Sequence, residues 1–260
     1  MQNKSLGQHW LTDIYSLESM IEAVDLTDID NVLEVGPGLG SLTKILVSKA
    51  KHVTTVEFDR ELIANLQQSI KSPNLTIVNQ DILKFDLTSL PKDYKVIANI
   101  PYYLTSKLFR VLSESSNPFS KAAILVQKEV AQRIEAGPGS MSLLSVSVQY
   151  YNRVSLGIIV PALLFDPPPK VDSQVVILER REKPLFENMD SKQYFKVVKA
   201  GFGQRRKKLL NSLSSGLGID KITCEKLLND SNISPDIRAQ ELTLDNWASI
   251  TNAAITESII

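Results

Sequence analysis

The chain has 260 residues, 43% hydrophobic and 22% charged, with 29 basic and 29 acidic side chains, which describes an ordinary globular protein large enough for one sizeable core and a smaller appendage. One cysteine, Cys224, and two histidines, His9 and His52, exclude an internal disulfide and a cysteine- or histidine-rich metal cluster, so no structural metal is expected. No apolar run reaches the ~20 residues that span a bilayer, and Met1 to Leu11 reads as neither signal nor transit peptide, so a cytoplasmic location is expected.

In chain order, Asn31 to Val35 reads as a first strand, Ser41 to Ala50 as a helix and His52 to Glu57 as a second strand. A helix over Asp59 to Ile70 follows, then strands over Leu75 to Asn79 and Lys95 to Ala98. Leu104 to Ser113 reads as a helix, Ala122 to Gln127 as a fifth strand, and Lys128 to Glu135 and Ser142 to Tyr151 as helices. Arg153 to Val160 and Ser173 to Arg180 close the series as two strands with almost nothing helical between them. Such alternation predicts an α/β fold: a doubly wound, Rossmann-like, mostly parallel sheet with an antiparallel hairpin at one edge. From Ser191 onward the periodicity is helical, so a domain over 1–183 and a small all-α domain over 184–260 are expected. The total charge is zero, yet Ser191 to Ile219 holds no acid and seven basic residues, among them Lys199, Arg205, Arg206, Lys207 and Lys208. That run reads equally as a solvated helix face and as a basic patch for nucleic acid.

The chemistry-bearing residues stand where strands end, the place open α/β sheets keep their ligands. Gly36-Pro37-Gly38-Leu39-Gly40 follows the first strand with the spacing G-x-G-x-G, which suits a close backbone approach better than a pyrophosphate cradle. Glu57 ends the second strand, where its carboxylate suits the two hydroxyls of a ribose. Asp81 follows the third and suits an adenine amine, with Ile82 covering the ring. Each acid alone is more often a solvated turn residue or a helix cap. The glycine loop and the two acids at three consecutive strand ends describe a nucleoside pocket without a phosphate site, and S-adenosyl-L-methionine fits that description.

After the fourth strand come Asn99, Ile100, Pro101 and Tyr102. The Asn99 side-chain oxygen and the Ile100 carbonyl, held extended by the proline that follows, supply two acceptors for one amino group, and Tyr102 supplies a face for a flat ring. An isolated Asn-x-Pro-Tyr reads equally as a strand-end turn.

On these residues the chain resembles the ribosomal RNA adenine N6,N6-dimethyltransferases, a family of small-subunit (kasugamycin-sensitivity) enzymes, erythromycin-resistance methyltransferases and mitochondrial transcription factor B proteins. Lys4 to Leu11 looks like the family's N-terminal segment, and the resemblance implies that His9 and Leu11 touch the cofactor. The segment Phe165-Asp166-Pro167-Pro168-Pro169-Lys170-Val171-Asp172-Ser173 looks like its late motif, which implies Phe165 against the target base opposite Tyr102. From the residues alone that run reads as a rigid crossover. Ala200 to Leu210 resembles the small-subunit branch's RNA-binding helix, and Arg238 to Leu242 its final helix-capping segment.

The resemblance thus implies a monomeric, S-adenosyl-L-methionine-dependent enzyme that dimethylates N6 of two adjacent adenosines near the 3′ end of small-subunit (16S) rRNA in an assembling 30S particle. Alternatives are a large-subunit methyltransferase of the erythromycin-resistance type, a protein glutamine methyltransferase, and a non-catalytic rRNA-binding assembly factor on the same fold. Trp10 replaces the family's usual Phe, no basic tail precedes Lys4, and the pI near 6.8 is low for a ribosome-binding enzyme.

Overall fold

The computed structural model describes residues 9–183, 185, 186, 188–204 and 206–260. Two compact units form, one from 1–132 with 152–180 and the other from 133–151 with 181–260.

The first unit holds a seven-stranded sheet. Its strands are β2 (Asn31–Val35), β3 (His52–Glu57), β4 (Leu75–Asn79), β5 (Lys95–Asn99), β6 (Lys121–Gln127), β7 (Asn152–Val160) and β9 (Ser173–Arg180), in the order β4-β3-β2-β5-β6-β9-β7. The first five pair in parallel, and β9 runs antiparallel to both β6 and β7. The expected edge hairpin is therefore present, with its second strand inserted next to the parallel sheet. Inner strands are apolar on both faces, as Val96, Ile97 and Ala98 of β5 and Ala122 to Val126 of β6 show by being almost wholly buried. The crossover helix α3 (Arg60–Ser69) begins at a side-chain cap, the Asp59 carboxylate accepting from the Glu61 N–H at 2.9 Å.

Two elements of this unit go beyond the sequence reading. Helix α1 (Ile14–Glu22) is capped by Asp13, whose Oδ2 accepts from the Ser16 N–H at 2.8 Å, and it buries Leu17, Met20 and Ile21. A second sheet of two strands pairs β1 (Trp10–Leu11) antiparallel with β8 (Phe165–Asp166), placing Leu11 opposite Phe165. The N-terminal segment is thereby stitched to the proline-rich connection between β7 and β9.

The second unit is helical. Its elements are α6 (Leu143–Tyr151), α7 (Ser191–Phe202), α8 (Leu209–Leu217), α9 (Lys221–Asp230) and α10 (Leu244–Thr256). They enclose a core in which Tyr194 and Trp247 are fully buried. Residues 133–151, expected in the first domain, belong here, and the division falls inside α5 (Lys128–Glu135). The physical reason is apolar: Met141, Val146 and Tyr150 pack into the same cluster as Tyr194, Val197 and Trp247. The Gln240 carbonyl also accepts from the Gly139 and Met141 N–H groups at 2.9 and 3.2 Å. Gly201 is part of this packing, since a Cβ there would collide with the Trp247 ring.

Candidate active site

The parallel strands of the first unit open at their C-terminal ends onto a cavity of about 310 Å3. Every residue expected at the cofactor or the reacting group lines it: His9, Leu11, Gly36, Gly38, Glu57, Asp81, Ile82, Asn99, Ile100, Pro101, Tyr102 and Phe165. Register explains the convergence. Val35 pairs with Val56 and with Ala98, and Glu57 pairs with Asn79, so the residues that follow those strands emerge side by side.

The glycine loop is shaped for close approach. Gly36 and Gly38 have φ of +69° and +55°, a left-handed backbone that L side chains rarely adopt, and a Cβ on Gly38 would enter the Trp10 ring. Glu57 is held by its own loop: Oε1 accepts from the Phe58 and Asp59 N–H groups at 2.7 and 2.9 Å. Burial raises the pKa of this carboxyl, while the N–H groups of Asp59, Phe58 and Gly38 counter part of that rise. Asp81 caps the short turn Ile82–Lys84, Oδ1 accepting from the Leu83 N–H at 3.0 Å, which leaves Oδ2 for a ligand. Cap and ligand site are thus compatible roles for this one side chain.

The acceptor pair is free. Among the described residues neither the Asn99 side-chain amide nor the Ile100 carbonyl makes a hydrogen bond, although Ile100 is buried and Asn99 half-buried. Polar groups so placed on a cavity wall are satisfied by a ligand or by water. Tyr102 is fixed at both ends, with its hydroxyl 3.0 Å from Ser173 Oγ and its carbonyl accepting from Thr105 Oγ1 at 2.9 Å. Burial, foremost, raises its pKa, so the phenol stays protonated and is no base.

The ring packed on Tyr102 is that of His9, 6.1 Å between centroids and 27° from parallel. His9 Nδ1 lies 2.7 Å from the Pro167 carbonyl, which accepts, so this nitrogen carries the proton. Phe165 also lines the cavity, but it is 5% exposed and packs with Leu11 and Leu17. It lies in the wall of the same cavity as Tyr102, and the ring stacked on Tyr102 is that of His9.

Glu34 is a cavity residue that the sequence reading passes over. It sits within β2, 1% exposed, with both carboxylate oxygens accepting from Thr43 Oγ1 at 2.8 and 3.0 Å. Burial pushes its pKa up to about 7. Its signal was a charged residue inside an otherwise apolar strand, Asn31-Val32-Leu33-Glu34-Val35.

Among the described residues the lining contains three acids, Glu34, Glu57 and Asp81, against a single lysine, Lys107, and no arginine. That donor set disfavours a phosphate and suits a nucleoside carrying positive charge. S-adenosyl-L-methionine meets both conditions: Glu57 would hold its ribose, Asp81 and Ile82 its adenine, and the Gly36 to Gly38 backbone its methionine end.

The basic residues lie in the second unit. Lys199 is exposed in the last turn of α7, and Arg206, Lys207 and Lys208 are exposed in the loop before α8. Arg205 lies outside the described residues, as do Lys4 to Gln8. Lys208 is not a free charge, since its Nζ is 2.6 Å from Asp236 Oδ1. Among the described residues, no group of three or more metal-ligating side chains occurs, and no helix is long and apolar enough to cross a membrane.

Comparison with known proteins shows the family. The family described as ribosomal RNA adenine dimethylase matches residues 1–255. The chain is 42% identical over 248 residues to ribosomal RNA small subunit methyltransferase A of Dehalococcoides mccartyi strain CBDB1, covering 94% of this chain and 85% of that one. It is 39% identical to the protein of that name from Streptococcus sanguinis, covering 98% and 93%. Among solved structures it resembles a dimethyladenosine transferase from Plasmodium falciparum, with a TM-score of 0.84, 25% identity and coverage of 96% and 98%. It also resembles the 23S rRNA methyltransferase ErmE, with a TM-score of 0.74, 26% identity and coverage of 94% and 98%. The chain belongs to the ribosomal RNA adenine dimethylase family and is an S-adenosyl-L-methionine-dependent methyltransferase of adenine in ribosomal RNA.

Proposed function

We infer that this enzyme dimethylates N6 of two adjacent adenosines near the 3′ end of small-subunit rRNA, acting as a cytoplasmic monomer on an assembling 30S particle. The observation that carries the reading is the unpartnered acceptor pair of Asn99 and Ile100, set in the same cavity as Glu57 and Asp81. The cofactor supplies a methyl group on a positively charged sulfur, ready for in-line transfer. The protein's part is placement. Asn99 Oδ1 and the Ile100 carbonyl each accept one N6–H, which turns the nitrogen lone pair out of conjugation with the ring and toward the donor. After the first transfer one N–H remains, enough for either acceptor to hold the amine again. Once methylated, the nitrogen bears positive charge and loses its proton readily, so the site needs no side-chain base beforehand. Neutral Tyr102 fits that requirement.

The adenine must leave its stack to reach Asn99, which favours a loop or a single-stranded site. Lys199, Arg206, Lys207 and the rest of the acid-free run supply positive charge for phosphates. The small-subunit reading is favoured over the large-subunit one by identity to the curated relatives, 42% and 39% against 26% for the ErmE structure.

The test is incubation of labelled cofactor with unmethylated small subunits and, in parallel, with unmethylated large subunits, followed by mapping of the modified nucleotides. Label in two adjacent adenosines near the 3′ end is expected. Label confined to large-subunit rRNA would sink the reading, and no label in any rRNA would favour a binding factor.

A further inference from the structure

The cavity lining contains two residues that neither the cofactor nor the target amine explains. Tyr103 is 65% exposed and Lys107 is exposed, yet both line the cavity that holds Asn99 and Tyr102. Among the described residues Tyr103 stacks on no other ring, and Lys107 has no carboxylate partner. Tyr102, by contrast, has its hydroxyl on Ser173 and its ring on His9. A lysine is also a poor neighbour for a positively charged cofactor, so its charge serves something at the outer rim.

The turn that carries Tyr103 is braced by hydrogen bonds. The Leu104 N–H donates to the Pro101 carbonyl at 3.0 Å, and Thr105 Oγ1 donates to the Tyr102 carbonyl at 2.9 Å, closing the turn on either side of Tyr103. Lys107 follows in the first turn of α4 (Thr105–Glu114). An exposed aromatic face beside an unpaired cation matches the two parts of a nucleotide: a base to stack and a phosphate to neutralise.

We propose that Tyr103 and Lys107 form a subsite at the mouth of the cavity for the nucleotide next to the one being methylated, Tyr103 stacking on its base and Lys107 binding the phosphate between the two. This rests on the reading above, in which two adjacent adenosines are modified in turn. The base held at Tyr103 is then the second adenine, kept unstacked from the RNA while the first reacts. Both residues are positioning residues, because neither touches the amine that receives the methyl group.

The experiment uses the full chain loaded with S-adenosylhomocysteine and a single-stranded oligoribonucleotide carrying 2-aminopurine beside one adenosine. Stacking on Tyr103 quenches the 2-aminopurine, so quenching is expected for the native protein and for Tyr103→Phe and to be lost in Tyr103→Ala. Affinity for the oligonucleotide should fall about tenfold in Tyr103→Ala, the scale of one base–aromatic stack. Lys107→Ala should lower the salt slope of binding by about one phosphate contact, with Lys107→Arg restoring it. In turnover on unmethylated small subunits, Tyr103→Ala should raise KM for the particle more than it lowers kcat, with the second adenosine trailing the first.

Quenching and affinity within twofold of the native protein in Tyr103→Ala would overturn the proposal. So would an equal loss of S-adenosylhomocysteine affinity, which would assign Tyr103 to the cofactor. If the native protein leaves small subunits unmethylated while Tyr103-dependent quenching persists, the subsite stands and the substrate assignment falls.

Discussion

In the first unit, the residues tied to chemistry stand at the ends of buried strands, where register sets their spacing and the sheet fixes their backbone. In the second, the basic residues proposed to bind RNA ride on the outside of a helical core whose interior, built on Tyr194, Leu213 and Trp247, is apolar. On the proposed reading, chemistry rests on a few side chains placed by the sheet, whereas RNA binding rests on a sum of charges that can be subtracted one at a time. The sharpest way to break this contrast is Asn99→Ala. It should cut turnover by roughly a thousandfold or more, the scale lost with an oriented transition-state contact, while leaving the melting temperature and RNA affinity near native. Unchanged turnover on unmethylated small subunits would remove the acceptor pair from the mechanism.

The next largest effect tests the cost of the polar wall. The Glu34 pKa rises from 4.5 to about 7 on folding. An acid that holds its proton more tightly when folded contributes fully below its unfolded pKa and progressively less above it. Stability of the cofactor-free protein should fall by roughly 3 kcal/mol between those two values through this group alone and level off above them. Glu34→Gln keeps an acceptor for Thr43 but has no proton to lose, so its denaturation midpoint should drop less between pH 5 and pH 8. Equal drops in both proteins would show that Glu34 does not carry this dependence.

Much of this architecture is legible in the sequence. Glu57, Asp81 and Asn99 announce themselves because buried parallel strands read as apolar runs, and a polar residue at the end of such a run marks the open edge of the sheet. The pairing of β1 with β8 carried no such signal, since two-residue strands show no periodicity and their partners lie at opposite ends of the first unit's sequence. For the same reason the His9 contact with Tyr102 was unreadable. Helix α1 did leave a signal, Asp13 as a cap and Leu17, Met20 and Ile21 at helical spacing. That signal adjoins a motif read for its cofactor contacts. The transfer of 133–151 to the second unit was not encoded in periodicity, because α6 is apolar on faces that suit either a sheet or a helix bundle.

Packing in the second unit offers a smaller effect. Gly201 falls in the segment that resembles an RNA-binding helix, and the structure shows it buried against the Trp247 ring. Gly201→Ala should overpack that contact and cost about 1–3 kcal/mol in chemical denaturation. Cofactor affinity, measured by calorimetry, should stay native. Native stability in this variant would mean that Trp247 can move, and that the helical core is looser than its burial indicates.

The smallest effects separate the charges of the basic run from one another. Lys207 is exposed with no ion-pair partner among the described residues, whereas Lys208 is 2.6 Å from Asp236. A lysine that already holds a carboxylate must give up that partner before it can neutralise a phosphate and displace the counterions condensed there. Lys207→Ala should therefore flatten the salt dependence of RNA affinity by about 0.7 in the log–log slope expected for a single-stranded contact, and Lys208→Ala should flatten it by less. Asp236→Ala should act in the opposite direction, steepening the slope and tightening binding at low salt. Equal slopes for the two lysine variants would mean that RNA displaces Asp236 without cost, and an unaltered slope in both would return the loop to a solvated face.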